Sequence, residues 1–119
     1  MAVKLSQASY DHAKRLVGEG RVVLDERDDW SEHQPSAQQE NEYLEEHGIR
    51  EYARWYLGVD DEQTEGSKGR HKYPYGDFRD VHRCGVLAAE SRAAQQGHDD
   101  IAKAAAHLHG MLEGVGARS

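Results

Sequence analysis

The fold is predicted chiefly by residues 77–113, which read DFRDVHRCGVLAAESRAAQQGHDDIAKAAAHLHGMLE. Apolar and small residues recur there at three- and four-residue intervals, which is the spacing of one face of an α-helix. Gly97 and Asp99 divide the stretch, because glycine commonly ends a helix and aspartate commonly caps the next one. Asp77 or Asp80 is the predicted cap of the first helix. The stretch therefore predicts an antiparallel helical hairpin over residues 77–113.

Shorter helices are predicted before this hairpin. They span residues 6–17, 37–46 and 49–57. The first begins at Ser6 or Ser9, and Ser9 is its predicted N-cap, since serine is favoured at that position. Ser36 starts the second and forms a capping box with Gln39, three residues later. Gly48 either separates the second helix from the third or places a kink in one longer helix.

The segments between these helices lack a clear period. Residues 21–24 (RVVL) are predicted to be extended or to form one edge strand. Residues 59–71 (VDDEQTEGSKGRH) contain few large apolar groups and are predicted to form a mobile loop. Taken together, the pattern predicts an all-α fold: a bundle of four to five helices with long loops, forming a single domain over residues 1–119.

Charge is distributed unevenly along the chain. The net charge of −7 divides into −9 for the acidic N-terminal half, residues 1–66, and +2 for the remainder. Nucleic acid is not an expected partner, because phosphate contacts require lysine and arginine. The acidic half favours a solvated surface, with a basic protein partner or mimicry of nucleic acid as alternatives.

The composition also indicates the cellular compartment and the oligomeric state to expect. Cys84 is the one cysteine, so an internal disulfide is excluded. No apolar leader opens the sequence, and no run reaches the length of a membrane span, so we expect a cytoplasmic protein without membrane contact. Only 37% of the residues are hydrophobic. A core this small would gain from self-association, and a homo-oligomer is therefore expected as one option.

Two stretches carry a resemblance. Residues 28–36 (DDWSEHQPS) and 72–83 (KYPYGDFRDVHR), with the alanine-rich tail that follows, resemble a family of short uncharacterised bacterial proteins. The resemblance covers most of the chain and implies no activity, cofactor or catalytic residue. The C-terminal third is also loosely similar to helical hairpins attached to phage and prohead-associated proteins.

Eight histidines in 119 residues raise the question of a metal site, because imidazole is the commonest metal ligand. No pair has the spacing of H-E-x-x-H, so a site must be assembled across segments. In the predicted hairpin His82 lies near the same end as His107 and His109, and Asp77 or Asp80 could add a carboxylate. The alternative is that these histidines form hydrogen bonds at the edge of the core.

Aromatic residues form a second candidate site. Trp30, Tyr73, Tyr75 and Phe78 are predicted to make a binding surface for a protein partner, since aromatic rings dominate interface hot spots. The alternative is that the rings close one end of the bundle. Cys84 is interpreted as a small buried residue, because it would point away from His82 on a helix.

No catalytic motif is recognisable in the sequence, and no catalytic residue is assigned. The favoured function is therefore a non-catalytic protein-interaction or structural module that needs no cofactor. The alternative is a metal-binding protein with hydrolytic activity, which uses a divalent metal held by the histidine and aspartate cluster.

Overall fold

The computed structural model of the chain describes residues 3–64 and 66–118, with side chains as far as residue 116. The helices are α1 (Gln7–Gly18), α2 (Trp30–His33), α3 (Ala37–Ala53), α4 (Arg83–Gln96) and α5 (Asp99–Arg118). The strands are β1 (Val3–Leu5), β2 (Val22–Val23), β3 (Tyr56–Asp60), β4 (His71–Pro74) and β5 (Val81–His82). Helices account for 63% of the structure. The fold is mixed α/β, so the predicted all-α bundle of four to five helices is wrong.

A three-stranded antiparallel sheet, ordered β1-β3-β4, joins the N-terminal strand to two strands from the middle of the chain. Its β3 strand starts at Tyr56, where the sequence predicts the end of a helix. Val59 pairs with His71, so both ends of the predicted loop 59–71 lie in strands. Strands of three to five residues are too short to show the alternation of polar and apolar residues that marks a strand in sequence.

A second sheet contains only β2 and β5, which pair in parallel. The extended segment predicted over residues 21–24 is confirmed by β2. Strand β5 replaces the predicted first turn of the hairpin, so α4 begins at Arg83 rather than near Asp77 or Asp80. The start of α4 is consequently attached to the β2 segment.

The C-terminal hairpin itself is confirmed. Arg83 bonds to Glu113 at 2.8 Å, and His109 contacts Glu90 at 3.3 Å, as expected for antiparallel helices. Gly97 ends α4 with φ of 76°, a left-handed conformation that glycine adopts without steric cost.

Local signals in the N-terminal half are also confirmed. Ser36 and Gln39 form the predicted capping box at the start of α3. Gly48 has a non-helical backbone, with φ of 85° and ψ of 168°, so the two predicted helices meet at a kink at this residue. The predicted N-cap of α1, however, is wrong: Ser6 rather than Ser9 caps the helix, and the Ser6 hydroxyl accepts from the backbone N–H of Ser9.

The core lies where α1, α4 and α5 meet the larger sheet. Its largest fully buried side chains include Tyr52, Leu57, Tyr75, Leu87, Ile101, Leu108 and Leu112. Part of this core depends on an aromatic ring that packs directly on a helix backbone. A Cβ atom on Gly85 would lie 2.9 Å from the ring of Trp30, so glycine allows the Trp30 ring to pack directly on α4. This contact holds the segment after β2 against the start of α4.

Candidate metal centre

The pairing of β2 with β5 brings two distant segments together. Val23 is the register partner of His82, so Asp25, two residues after Val23, lies beside the start of α4. The chain then turns back through the 3-10 turn Arg27–Asp29 and α2, which ends at His33. Asp25, His33, His82 and Cys84 are thereby gathered, and their ligand-type atoms lie within 4.8 Å of one another.

Asp25 is the centre of this cluster. Its Oδ2 atom accepts hydrogen bonds from Nδ1 of His33 and Nδ1 of His82, each at 2.7 Å. The same oxygen accepts from Sγ of Cys84 at 3.0 Å, while Oδ1 accepts the backbone N–H of Cys84 at 2.7 Å. Sγ of Cys84 lies 3.9 Å from Nδ1 of His33. One carboxylate therefore contacts all three of the other groups.

His82 has a second carboxylate partner. Its Nε2 atom donates to Oδ2 of Asp77 at 2.8 Å. The loop that holds Asp77 is itself ordered, since Oδ1 of that residue accepts the backbone N–H groups of Arg79 and Asp80. The His82 ring is therefore fixed in orientation, with Nδ1 directed into the cluster.

The electrostatics of the cluster follow from these hydrogen bonds. Burial alone would raise the pKa of Asp25, but the hydrogen bonds from Cys84, His82 and His33 outweigh burial and hold that pKa below its ordinary value. Burial also opposes the charged form of His82, yet Asp77 and Asp25 raise its pKa. Burial together with the neighbouring Asp25 carboxylate raises the pKa of the Cys84 thiol. Cys84 is therefore a protonated donor to Asp25 rather than a free nucleophile.

The cluster is shielded but not sealed. The side chains of Asp25 and His82 are only 5% and 8% exposed, and Cys84 is fully buried. The His33 side chain is 36% exposed and forms the solvent side of the cluster. An ion could therefore reach the cluster past His33.

The donor types, which are one thiol, two imidazoles and one carboxylate, are types that zinc binds. Zinc bonds of about 2.0–2.3 Å imply ligand separations of about 3.3–3.8 Å, so a bound ion would widen the Asp25 contacts by roughly half an ångström. The ion would take the place of the hydrogens now shared with Asp25. Asp77 would remain as the outer partner of His82, as carboxylates commonly do for metal-bound histidines.

The predicted histidine cluster forms only in part. His82 and Asp77 come together, but Asp80 instead contacts Arg21 at 3.8 Å. His109 lies against Glu90 and Glu113, both at 3.3 Å. His107 packs edge-on against Tyr10. The predicted meeting of His82 with His107 or His109 does not occur, because α4 begins after His82 and that ring turns towards β2.

The four predicted binding-surface residues are largely enclosed. Trp30, Tyr73 and Tyr75 are 7%, 5% and 0% exposed, so their rings do not form an exposed surface for a protein partner. Phe78 is partly buried and stacks on Tyr43 at 4.4 Å. Their burial agrees with the alternative in that the rings pack inside the protein, although the fold is not the bundle whose end they were predicted to close.

The sequence pattern does not predict Asp25, His33 or Cys84 as ligands. With α4 expected to start near residue 77 or 80, His82 and Cys84 would sit two positions apart on a helix and point away from each other. In the structure His82 is the last residue of β5 and Cys84 the second residue of α4. The RVVL segment was the available signal, since a strand there needs a partner strand.

Comparison with known proteins found no match among protein-family models, curated proteins or solved structures. The resemblance to short bacterial proteins therefore stays a prediction. No helix within residues 3–64 and 66–118 is long and apolar enough to cross a membrane. The site must be interpreted from its own chemistry.

Proposed function

We propose that the protein is a small zinc-binding module. The observation that carries the proposal is the convergence of a thiol, two imidazoles and a carboxylate from Cys84, His33, His82 and Asp25 within 4.8 Å. These groups come from three segments separated in sequence. A bound ion would tie residues 24–33 to the start of α4.

The ligand chemistry favours zinc over hard cations. Calcium and magnesium prefer oxygen ligands, and only Asp25 supplies one here. Thiolate and imidazole suit zinc, which takes four such ligands in a tetrahedron. The outer carboxylate of Asp77, 2.8 Å from Nε2 of His82, adds the support expected of a zinc-bound histidine.

The number of ligands favours a structural role. Catalytic zinc sites usually keep one position open for water, whereas structural sites use four protein ligands. Asp25, His33, His82 and Cys84 fill all four positions. The proposed metal therefore supports a non-catalytic module rather than a hydrolytic centre.

The proposed module would not bind a protein through the predicted aromatic surface, because those side chains are largely enclosed. The exposed side of α3 carries Glu42, Glu45 and Glu46, within the half of the chain whose net charge is −9. Such a face complements a basic protein. We therefore keep a basic protein partner, and a homo-oligomer, as parts of the proposal.

Cobalt substitution tests the proposed ligands directly. Chelator-treated protein should take up one Co²⁺ per chain and develop a thiolate-to-cobalt charge-transfer band that zinc then abolishes. Cys84→Ser should remove that band, and His82→Ala should weaken binding at least about tenfold. Asp77→Asn should also weaken binding, by about tenfold or more, while the band persists, because Asp77 orients a ligand without being one.

The matched control is His109→Ala, which removes a histidine outside the cluster. It should leave cobalt binding unchanged. Native mass spectrometry of the same samples gives the metal count and the oligomeric state together. A charge-transfer band that survives Cys84→Ser, or binding that depends on His109 instead of His82, would overturn the proposed site.

A further inference from the structure

A cavity of about 620 Å³ opens at the opposite end of α4 from the Asp25 cluster. It lies between the three-stranded sheet and the last turn of α4, where Arg92 faces Lys72 and Tyr73 of β4. Pockets of about 300–1,000 Å³ are typical of small-molecule sites. A helix of this length spans about 20 Å, so the cavity and the Asp25 cluster are separate sites.

Tyr73 forms a fixed wall of this cavity. Its φ of 64° is unusual for a residue other than glycine, and such backbone conformations are concentrated at functional sites. Its hydroxyl donates to Oε1 of Gln96 at 2.5 Å and is joined to Nδ1 of His98 at 2.6 Å. These bonds hold the ring in place against the end of α4. The wall is therefore formed before any ligand arrives.

The lining carries positive charge although the chain as a whole is acidic. Lys72 and Arg92 both line the cavity, and neither has a carboxylate partner within 4.0 Å among the residues that the structure describes. Asp60 is the one carboxylate of the described lining. Its Oδ1 atom already accepts the backbone N–H of Glu62 at 3.0 Å. The cavity therefore offers two unpaired cations to an anion.

The other lining residues are Val3, Tyr73, Gln96 and His98, and the lining as a whole is more apolar than polar. Val3 and the ring of Tyr73 are the apolar members of this lining. An inorganic anion would contact the cations but leave this wall in water. A ligand that joins an anionic group to an apolar body would satisfy both parts.

We propose that this cavity binds a small organic carboxylate with an apolar body. The carboxylate pairs with Arg92, whose planar guanidinium can donate two parallel hydrogen bonds, and with Lys72. The apolar body packs on the Tyr73 ring and Val3. The proposal is independent of the zinc site, because it uses none of its ligands.

Phenylacetate is a suitable probe for the full-length protein. In a ¹H–¹⁵N correlation spectrum it should cause saturable shifts in the amides of Tyr73, Gln96 and His98. Arg92→Gln and Lys72→Gln should each weaken binding about tenfold, the effect expected for loss of a charge-assisted hydrogen bond. Asp60→Asn should tighten binding, because it removes the one opposing charge of the described lining.

Matched controls separate the parts of the proposal. Lys103→Gln removes a cation from an exposed position of α5 and should leave binding unchanged. Benzylamine, which carries the opposite charge, should not compete with phenylacetate. Inorganic phosphate should bind more weakly than phenylacetate, since it cannot use the apolar wall. The Cys84→Ser variant should bind phenylacetate as the wild type does.

Several results would overturn this proposal. They include an absence of saturable shifts, equal binding of benzylamine, and phosphate binding as tight as that of phenylacetate. Weakening by Asp60→Asn would do so as well, since Asp60 would then contact the ligand itself. The spectrum of each variant shows whether it is folded, so loss of binding cannot be confused with unfolding.

Discussion

At the scale of single residues, Asp25 has the largest set of specific contacts in the candidate metal centre. Its carboxylate accepts hydrogen bonds from His33, His82 and Cys84. These donors lie in α2, β5 and α4 respectively. A buried carboxylate is costly unless it is hydrogen-bonded, and these donors meet that requirement in the absence of an ion. The same contacts place four ligand atoms ready for an ion. Metal-free stability and the proposed metal binding therefore depend on one set of side chains.

His12 is a second residue whose protonation affects the fold. Burial lowers its pKa from the ordinary value of 6.5, an effect that outweighs the opposing hydrogen bond with the Arg54 backbone. Its ring packs edge-on against Trp55, and Nδ1 bonds to the Tyr75 hydroxyl at 2.9 Å. Because the unfolded chain binds a proton more readily, the contribution of neutral His12 is present above pH 6.5 and is lost as the pH falls through and below that value.

We therefore expect His12→Gln to reduce the loss of stability on acidification. Urea unfolding at about pH 7.5 and about pH 5.5 gives the free energy of unfolding of both proteins, and the difference between the two pH values should be smaller in the variant. The free energy of unfolding at the higher pH shows how much stability the variant loses with the hydrogen bond between His12 and Tyr75, apart from any effect of protonation. Equal differences in both proteins would contradict the interpretation.

At the scale of elements, the boundary between β5 and α4 decides what the site contains. Val81 and His82 pair with β2, and the helix starts only at Arg83. An earlier helix start would turn His82 away from the β2 segment. Because α4 starts at residue 83, His82 and Cys84 both contact Asp25.

Two glycines of the hairpin, one after α4 and one inside α5, allow a prediction about the free energy of unfolding. Gly97 holds a left-handed conformation after α4, and an alanine there is strained, so Gly97→Ala should lower the free energy of unfolding by about 1 kcal/mol. Gly110 lies inside α5 with open space around its Cα, so Gly110→Ala should raise that free energy by about 0.5–1 kcal/mol. Urea denaturation measures both. A gain of stability in Gly97→Ala would contradict the left-handed assignment.

At the scale of the whole molecule, the two candidate sites lie at opposite ends of α4. The Asp25 cluster joins β2, α2 and α4, whereas the cavity joins the larger sheet to the last turn of α4. The segment at residues 24–33 contains only short helical turns and depends on its side-chain contacts for its position. Segments of this kind open locally more easily than the core.

Zinc should therefore protect one part of the molecule more than others. Hydrogen exchange with and without zinc should slow most in residues 24–33 and at the start of α4, because local opening there would break the metal site. The last turn of α4, beside the cavity, provides the internal reference. Slowing centred on that reference region instead of residues 24–33 would contradict the proposed position of the metal.

The sequence by itself determined the local features: the capping box of Ser36 and Gln39, the kink at Gly48, and the helical hairpin whose first helix ends at Gly97. Each depends on interactions within a few residues, which is why a local pattern reveals it. Only the tertiary structure decided the short strands and the grouping of Asp25, His33, His82 and Cys84, since strand pairing joins residues nearly sixty positions apart. Strands of two to five residues have no sequence period of their own, so the stability of β2 and β5 comes from contacts made across the fold.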